Sequence, residues 1–263
     1  MATLQKLRCR IQKITNHGDH VYTIDLAPER PVPRFKPGQF LHLALDEYDP
    51  SGFWPESRVF SIASSPIQRD HLRISYSVRG RYTARMENEL HEGQRVWIKM
   101  PYGDFVIRDS SNVVLLAGGT GITAFTAFLE NLMPEHPSMV YLVYGARNRN
   151  LLIYRDMIEN LVSRITKLKT FYFIENFQPE DKSQPTQLTQ LTQQTQLTQL
   201  TQQTLITCEI AGCLSLESIW SRLLNPQETT YYLSGPPAMI QALTLNLLKK
   251  AISSEMIKVD AWD

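Results

Sequence analysis

Residues 113–125 read Val-Val-Leu-Leu-Ala-Gly-Gly-Thr-Gly-Ile-Thr-Ala-Phe. The run opens with apolar residues that do not alternate with polar ones, the pattern of a strand buried on both faces, and glycines end it abruptly. A helical pattern over 122–133 follows at once. The same unit recurs downstream. MVYLVYGA (139–146) precedes a helical stretch near 151–164, KTFYFIENF (169–177) is a third strand, and TTYYLSG (229–235) leads straight into PAMIQALTLNLLKKAI (237–252). Apolar strands alternating with helices specify a parallel sheet covered on both sides. The final run, MIKVDAWD (256–263), reads as a terminal strand.

The first half has another texture. LRCRIQKI, VYTIDLA, QFLHLAL, RVFSIAS, LRISYSV and RVWIKM are short β-rich runs separated by turn clusters such as Asn16–Asp19, Arg34–Gly38 and Glu92-Gly93. That rhythm predicts an antiparallel barrel or sandwich, interrupted by one helical segment around Ala84–Leu90. The expected organisation is two domains, an antiparallel β-barrel over 1–110 and an α/β parallel-sheet domain over 111–263. Between Ser183 and Cys208 there is no charged residue, and TQLTQLTQQ at 186–194 is repeated letter for letter at 195–203. We read about 183–205 as an expanded surface insertion outside the chemistry, since loop closure entropy grows only logarithmically with length.

Composition narrows the class. The chain has 263 residues, 43% hydrophobic and 20% charged, with a formal net charge of +1, as in a globular protein of ordinary balance. That charge gives no overall attraction to nucleic acid or an anionic membrane. The first residues lack the apolar core of a signal peptide and no run approaches membrane-spanning length, so a cytoplasmic location is expected. Cys9, Cys208 and Cys213 are too few for a four-thiolate iron–sulfur centre, and no metal is expected.

Ligands of open parallel sheets bind outside the carboxyl ends of the strands. Here those ends carry Gly118-Gly119-Thr120-Gly121, Tyr144-Gly145-Ala146-Arg147, Glu175-Asn176 and Ser234-Gly235-Pro236-Pro237. The first turn can aim backbone N–H groups at an anion, or its glycines can simply let strand and helix pack. In the first half, alternation puts Arg58 and Phe60 on one strand face and Val59 and Ser61 on the other. A cation for phosphate and an aromatic ring for a flat ligand suit a flavin nucleotide. Gly80-Arg81-Tyr82-Thr83 opens a helix, a second place for phosphate.

The order of these motifs resembles the ferredoxin–NADP reductase superfamily across nearly the whole chain. RVFS is similar to its Arg-x-Tyr-Ser/Thr flavin motif, with Phe60 where tyrosine is usual. The likeness implies FAD, with Arg58 on the pyrophosphate, Phe60 against the isoalloxazine, Ser61 near flavin N5, and Val59 and Ser77 beside them. GRYT is similar to the phosphate turn, placing Gly80, Arg81, Tyr82 and Thr83 near the cofactor. FKPGQF and MPYGDF resemble the barrel signatures. LLAGGTGITAF resembles the nicotinamide-nucleotide turn, which implicates Gly118, Gly119, Thr120, Gly121, Ile122 and Thr123, with Ala124 where proline is common. VYGARN and the following strand end bring in Gly145, Arg147 and Glu175. YLSGPPAM is similar to the Cys-Gly-Pro-Pro-x-Met corner, implicating Ser234, Gly235, Pro236 and Met239. Ser234 replaces the cysteine that helps align hydride transfer and is expected to act as a hydrogen-bond donor. Asp260 and Trp262 fit the acidic and aromatic C-terminal pair, with Trp262 the candidate shield over the flavin.

By that likeness Ser61, Ser234, Asp260 and Trp262 form the catalytic set. The implied activity is transfer of hydride from NADH or NADPH to FAD, then of electrons to a separate redox protein or a small acceptor. Glu175 favours NADH, because a carboxylate repels a 2′-phosphate, whereas Arg147 and Arg149 pull towards NADPH. NADH is weakly preferred. A flavin reductase using free flavin and a non-catalytic nucleotide-binding regulator are the alternatives.

Overall fold

Alternation along the first strand shows how the barrel is built. In β1 (Gln5–Asn16) Leu7, Cys9 and Ile11 are buried and Arg10 and Gln12 are exposed. The computed structural model describes residues 4–108, 111–176 and 207–260. With β2 (Val21–Pro28), β3 (Phe40–Ala44), β4 (Ser57–Ser61), β5 (Leu72–Ser77) and β6 (Arg95–Tyr102), β1 forms a six-stranded antiparallel sheet in the order β4-β3-β6-β1-β2-β5. The sheet curls into a nearly closed barrel around Leu7, Ile24, Leu41, Ile74 and Ile98. Each side chain of this kind stabilises the fold by about 1.5–3 kcal/mol when fully buried.

The helix Arg81–Glu89 sends Tyr82 and Met86 into that core. It begins three residues before the predicted Ala84, because the Thr83 hydroxyl turns back to accept from the Arg79 and Gly80 amides (2.9 and 3.2 Å). The amides of the two residues just ahead of the helix are thereby satisfied.

The second half is the parallel sheet expected from its apolar runs. β7 (Val113–Gly118), β8 (Val140–Ala146), β9 (Leu168–Ile174), β10 (Thr207–Ala211), β11 (Thr230–Ser234) and β12 (Ile257–Val259) lie in the order β10-β9-β8-β7-β11-β12. Every residue of β7 is buried. Val113, Leu115 and Ala117 face one core with Phe125 and Ile158, while Val114 and Leu116 face another with Leu243 and Leu247. The helices Thr123–Leu129, Arg155–Val162 and Pro237–Lys249 thus cover both sides. The chain steps outward from β7 to β10, then returns to β11 on the other side of β7. The crevice at that reversal is where such sheets hold ligands. Among the described residues no helix is long and apolar enough to cross a membrane. The repeat at about 183–205 lies outside the described residues.

The barrel is locked to the α/β half. Val21 and Ala63 belong to the same core as Leu115 and Phe125. Ser75 Oγ and Tyr154 OH, buried, share a 2.7 Å hydrogen bond, and Ser65 Oγ donates to Asn131 Oδ1 at 3.0 Å. Arg73 on β5 holds Asp25 at 2.8 Å and Glu130 of the α/β half at 3.3 Å. Burial opposes ionisation of Asp25, but hydrogen bonds from His71 and Arg73 outweigh it and hold the carboxyl below its usual range. Glu130 is shifted the other way, raised by burial that Arg73 only partly offsets.

A depressed folded-state pKa adds stability above the unfolded value, roughly 3.9 for Asp, that is lost as pH falls through the folded value. Glu130 has the opposite sign, favouring the fold most at low pH. Asp25→Asn is therefore expected to lower Tm at pH 7, with the deficit against wild type shrinking as pH falls below about 4. Thermal unfolding across that range checks this, and a deficit independent of pH contradicts it.

Candidate active site

Where the barrel fails to close, a cleft opens. β4 and β5 end the sheet order and come together without pairing as strands. The Ala63 amide bonds to the Arg73 carbonyl at 2.8 Å on one side of this seam. Beyond it Val59, Phe60 and Ser61 of β4 face Ser75, Tyr76 and Ser77 of β5 across the cleft, and Arg79 and Thr83 continue the wall. Phe60 is 8% exposed and meets Tyr76 edge-on, with ring centroids 6.1 Å apart. The opposite wall comes from the carboxyl ends of β7 and β11, namely Gly118, Thr120, Gly121 and Thr123 with Ser234, Gly235 and Pro236. The cleft has a volume of about 230 Å³.

The two elements of that far wall touch through their backbones. β11 pairs in parallel with β7, placing Ser234 beside Ala117. A β-carbon on Gly121 would stand 2.3 Å from the Ser234 carbonyl oxygen. Packing therefore accounts for this glycine. Gly119 is different, with φ +54° and nothing within 4 Å of where a β-carbon would stand. The turn combines both readings open at the sequence level, a packed glycine and one facing free space.

Ser234 is 2% exposed and Asp260 4%. The Ser234 hydroxyl donates to Asp260 Oδ2 at 2.9 Å, and the Asp260 amide donates to the Leu233 carbonyl at 2.8 Å. The single hydroxyl proton is committed to the carboxylate. With its proton so directed, Ser234 presents oxygen lone pairs to the cleft.

At the mouth, Arg58 lies over the Tyr82 ring, 4.9 Å from its centroid, and Arg58 and Arg81 share Glu56 at 3.1 and 3.4 Å. Arg79 lines the cleft close by, and nothing lies within 4 Å of a β-carbon built on Gly80 at the start of the nine-residue helix. Tyr82 itself is buried, its hydroxyl donating to the Leu43 carbonyl at 2.6 Å, so it supports Arg58 from below. Ile122 is wholly within the core, and Met239 packs over Gly118 and Gly235.

Gly145, Arg147 and Glu175 lie at the strand ends further along the sheet. Glu175 is exposed, Arg147 faces Asp19 of the barrel at 4.0 Å, and Arg149 pairs with Glu209. Trp262 lies outside the described residues. Sequence reading missed Ser75, Tyr76 and Arg79. Alternation places Ser75 and Tyr76 on opposite faces, but an unpaired edge strand presents both to the seam. Position just ahead of GRYT was the available signal. Among the described residues no three His, Cys, Asp or Glu side chains gather as a metal site.

Residues 115–244 match the family described as Oxidoreductase NAD-binding domain. A flavohemoprotein of Rhizobium meliloti (strain 1021) is 28% identical over 250 residues, covering 92% of this chain and 56% of that protein. An NAD(P)H-flavin reductase of Aliivibrio fischeri is 29% identical over 165 residues, 59% of this chain and 66% of that one. The chain thus spans between half and two thirds of these relatives. Among solved structures, a ferredoxin NADP+ reductase from Neisseria gonorrhoeae with bound FAD and NADP shares the fold, with a TM-score of 0.71, 18% identity and 99% coverage of both chains.

Gly121→Ala forces the Ser234 corner away from β7. The expected cost is about 2 kcal/mol, a fall in Tm of roughly 4–8 °C. An unchanged melting curve contradicts the backbone contact.

Proposed function

We propose that the chain is a member of the ferredoxin–NADP reductase superfamily and an FAD-containing oxidoreductase that takes hydride from a nicotinamide nucleotide and passes electrons to a separate acceptor. The observation that carries this is the meeting of two half-sites across one cleft. Phe60, Ser61 and Tyr76 form the barrel wall, and Ser234, held by Asp260, forms the other. We place the division between an FAD-binding domain and a nucleotide-binding domain at residues 110/111.

The residues present fit a flavin nucleotide. Two arginines against one glutamate, with Arg79 close by at a helix N-terminus, suit a pyrophosphate. The aromatic edge of Phe60 and the unpaired strand seam suit a flat ring with polar edges. Arg58 and Arg81 would hold the pyrophosphate, and Ser61 and Ser77 would bond the ring system. Bound FAD supplies the hydride acceptance and single-electron release that no side chain can. The chain's own part is alignment. Asp260 orients the Ser234 hydroxyl, whose lone pairs accept from a nicotinamide carboxamide, and the buried corner keeps water from the meeting point.

Nicotinamide preference follows from charge. Arg147 and Arg149 each face a carboxylate, and Glu175 stands exposed at the next strand end. A 2′-phosphate gains little there, so NADH is the preferred donor. The acceptor is a redox protein or small oxidant. A flavin reductase turning over free flavin is the second reading, favoured by the open seam, and the arginines at the cleft mouth favour tightly held FAD over it.

Anaerobic titration of the purified protein tests the proposal. It is expected to be yellow and to bleach with NADH more readily than with NADPH. Yellow protein that neither nucleotide bleaches sinks the enzyme reading, and colourless protein that reduces added flavin supports the flavin reductase. Arg58→Ala is expected to lose FAD on gel filtration. Ser234→Ala should keep FAD yet bleach about tenfold more slowly. Equal rates in Ser234→Ala and wild type contradict the alignment role.

A further inference from the structure

One carboxylate at the nucleotide end of the sheet comes from the barrel. The β1–β2 turn, His17–His20, has Gly18, Asp19 and His20 at φ 85°, 48° and 59°, three successive left-handed residues. Its flanks are anchored, His17 Nε2 lying 2.9 Å from the Thr23 hydroxyl and His20 Nδ1 2.7 Å from Glu87. The turn therefore holds the Asp19 side chain against the carboxyl end of β8. There Asn148 Nδ2 donates to Asp19 Oδ2 at 3.0 Å, and the Arg147 guanidinium lies 4.0 Å from the same oxygen.

On the nicotinamide-nucleotide reading, that place lies beside the adenosine ribose. β8 is the strand that follows the glycine turn and its helix, and in open sheets of this kind the group near the end of that second strand bears on the 2′ position, here beside the exposed Glu175 that follows β9. A carboxylate accepts from the 2′-hydroxyl, whereas an arginine takes a 2′-phosphate. Arg147 by itself favours the phosphate. Asp19 answers its charge, and Glu209 occupies Arg149 and also reaches Arg155 at 2.7 Å. We propose that Asp19, reaching across from the barrel, is a specificity residue that sets the nucleotide site against a 2′-phosphate. The proposal rests on the nicotinamide-nucleotide reading and adds a determinant from outside the nucleotide-binding half.

Asp19→Asn tests it. Asparagine tolerates a left-handed backbone, and its amide oxygen still accepts from Asn148, so the turn is kept and only the charge is removed. Calorimetric binding of 2′,5′-ADP and of 5′-AMP to the purified protein gives a readout independent of turnover. The affinity ratio of 2′,5′-ADP to 5′-AMP is expected to rise about three- to tenfold, the effect of one partly exposed charge beside a phosphate. The NADPH to NADH ratio of kcat/KM should rise with it, and both gains should shrink at high salt. If wild type binds 5′-AMP but both ratios in Asp19→Asn stay within about twofold of wild type, Asp19 is not the determinant. If wild type binds neither nucleotide, the nucleotide site itself is refuted and the Asp19 assignment with it.

Discussion

A β-carbon at position 121 would stand 2.3 Å from the Ser234 carbonyl oxygen, so the two central turns of the sheet approach closely only because residue 121 is glycine. The cleft depends on that contact. β7 and β11 run side by side in parallel, with Ser234 level with Ala117, so both chains turn at the same height. With a larger residue between them the Ser-Gly-Pro-Pro corner would stand away from the glycine turn and from β4 and β5. Asp260 ties the corner from the other side, through its own amide to Leu233 and through its carboxylate to the Ser234 hydroxyl.

The barrel contributes an opening. A fully closed sheet has no free edges, but this one stops short between β4 and β5. Along that seam the strand ends present backbone groups, three serines and two aromatic rings to the same space. The α/β half covers the exposed edges and so completes the barrel as well as the cleft. The shared core around Val21, Ala63 and Phe125 and the polar links from Arg73, Ser75 and Ser65 keep the walls at a set separation. Positive charge gathers at the mouth, where Arg58 and Arg81 meet Glu56 and Arg79 lines the cleft, and the nucleotide end is balanced by Asp19 and Glu209.

Much of this was legible in local pattern. An apolar run such as VVLLAGG has no alternation to satisfy, so a doubly covered strand was the only economical reading, and the alternating runs before it called for a one-sided sheet. The RVFS strand and the YLSGPP corner were found because chemistry and order both marked them. What escaped depended on contacts distant in sequence. Alternation could not reveal that Ser75 and Tyr76 share a cleft, because that follows from β5 being an edge. Nor could it tell that the Ser234 proton belongs to Asp260, or that Asp19 meets Arg147. The helix starts at Arg81, within the GRYT segment read as opening it, but the Thr83 hydroxyl that caps the amides ahead of it is a contact that the motif alone does not reveal.

The central claim is that Phe60 and Ser234 face the same reacting pair from opposite sides. A crystal structure of the protein loaded with FAD and a nicotinamide nucleotide measures this directly. The account predicts the isoalloxazine against Phe60 and within hydrogen-bond reach of Ser61, the pyrophosphate at Arg58 and the helix N-terminus, and the nicotinamide carboxamide donating to Ser234. A flavin bound elsewhere, or a nicotinamide ring that does not enter the cleft beside Ser234, would contradict it.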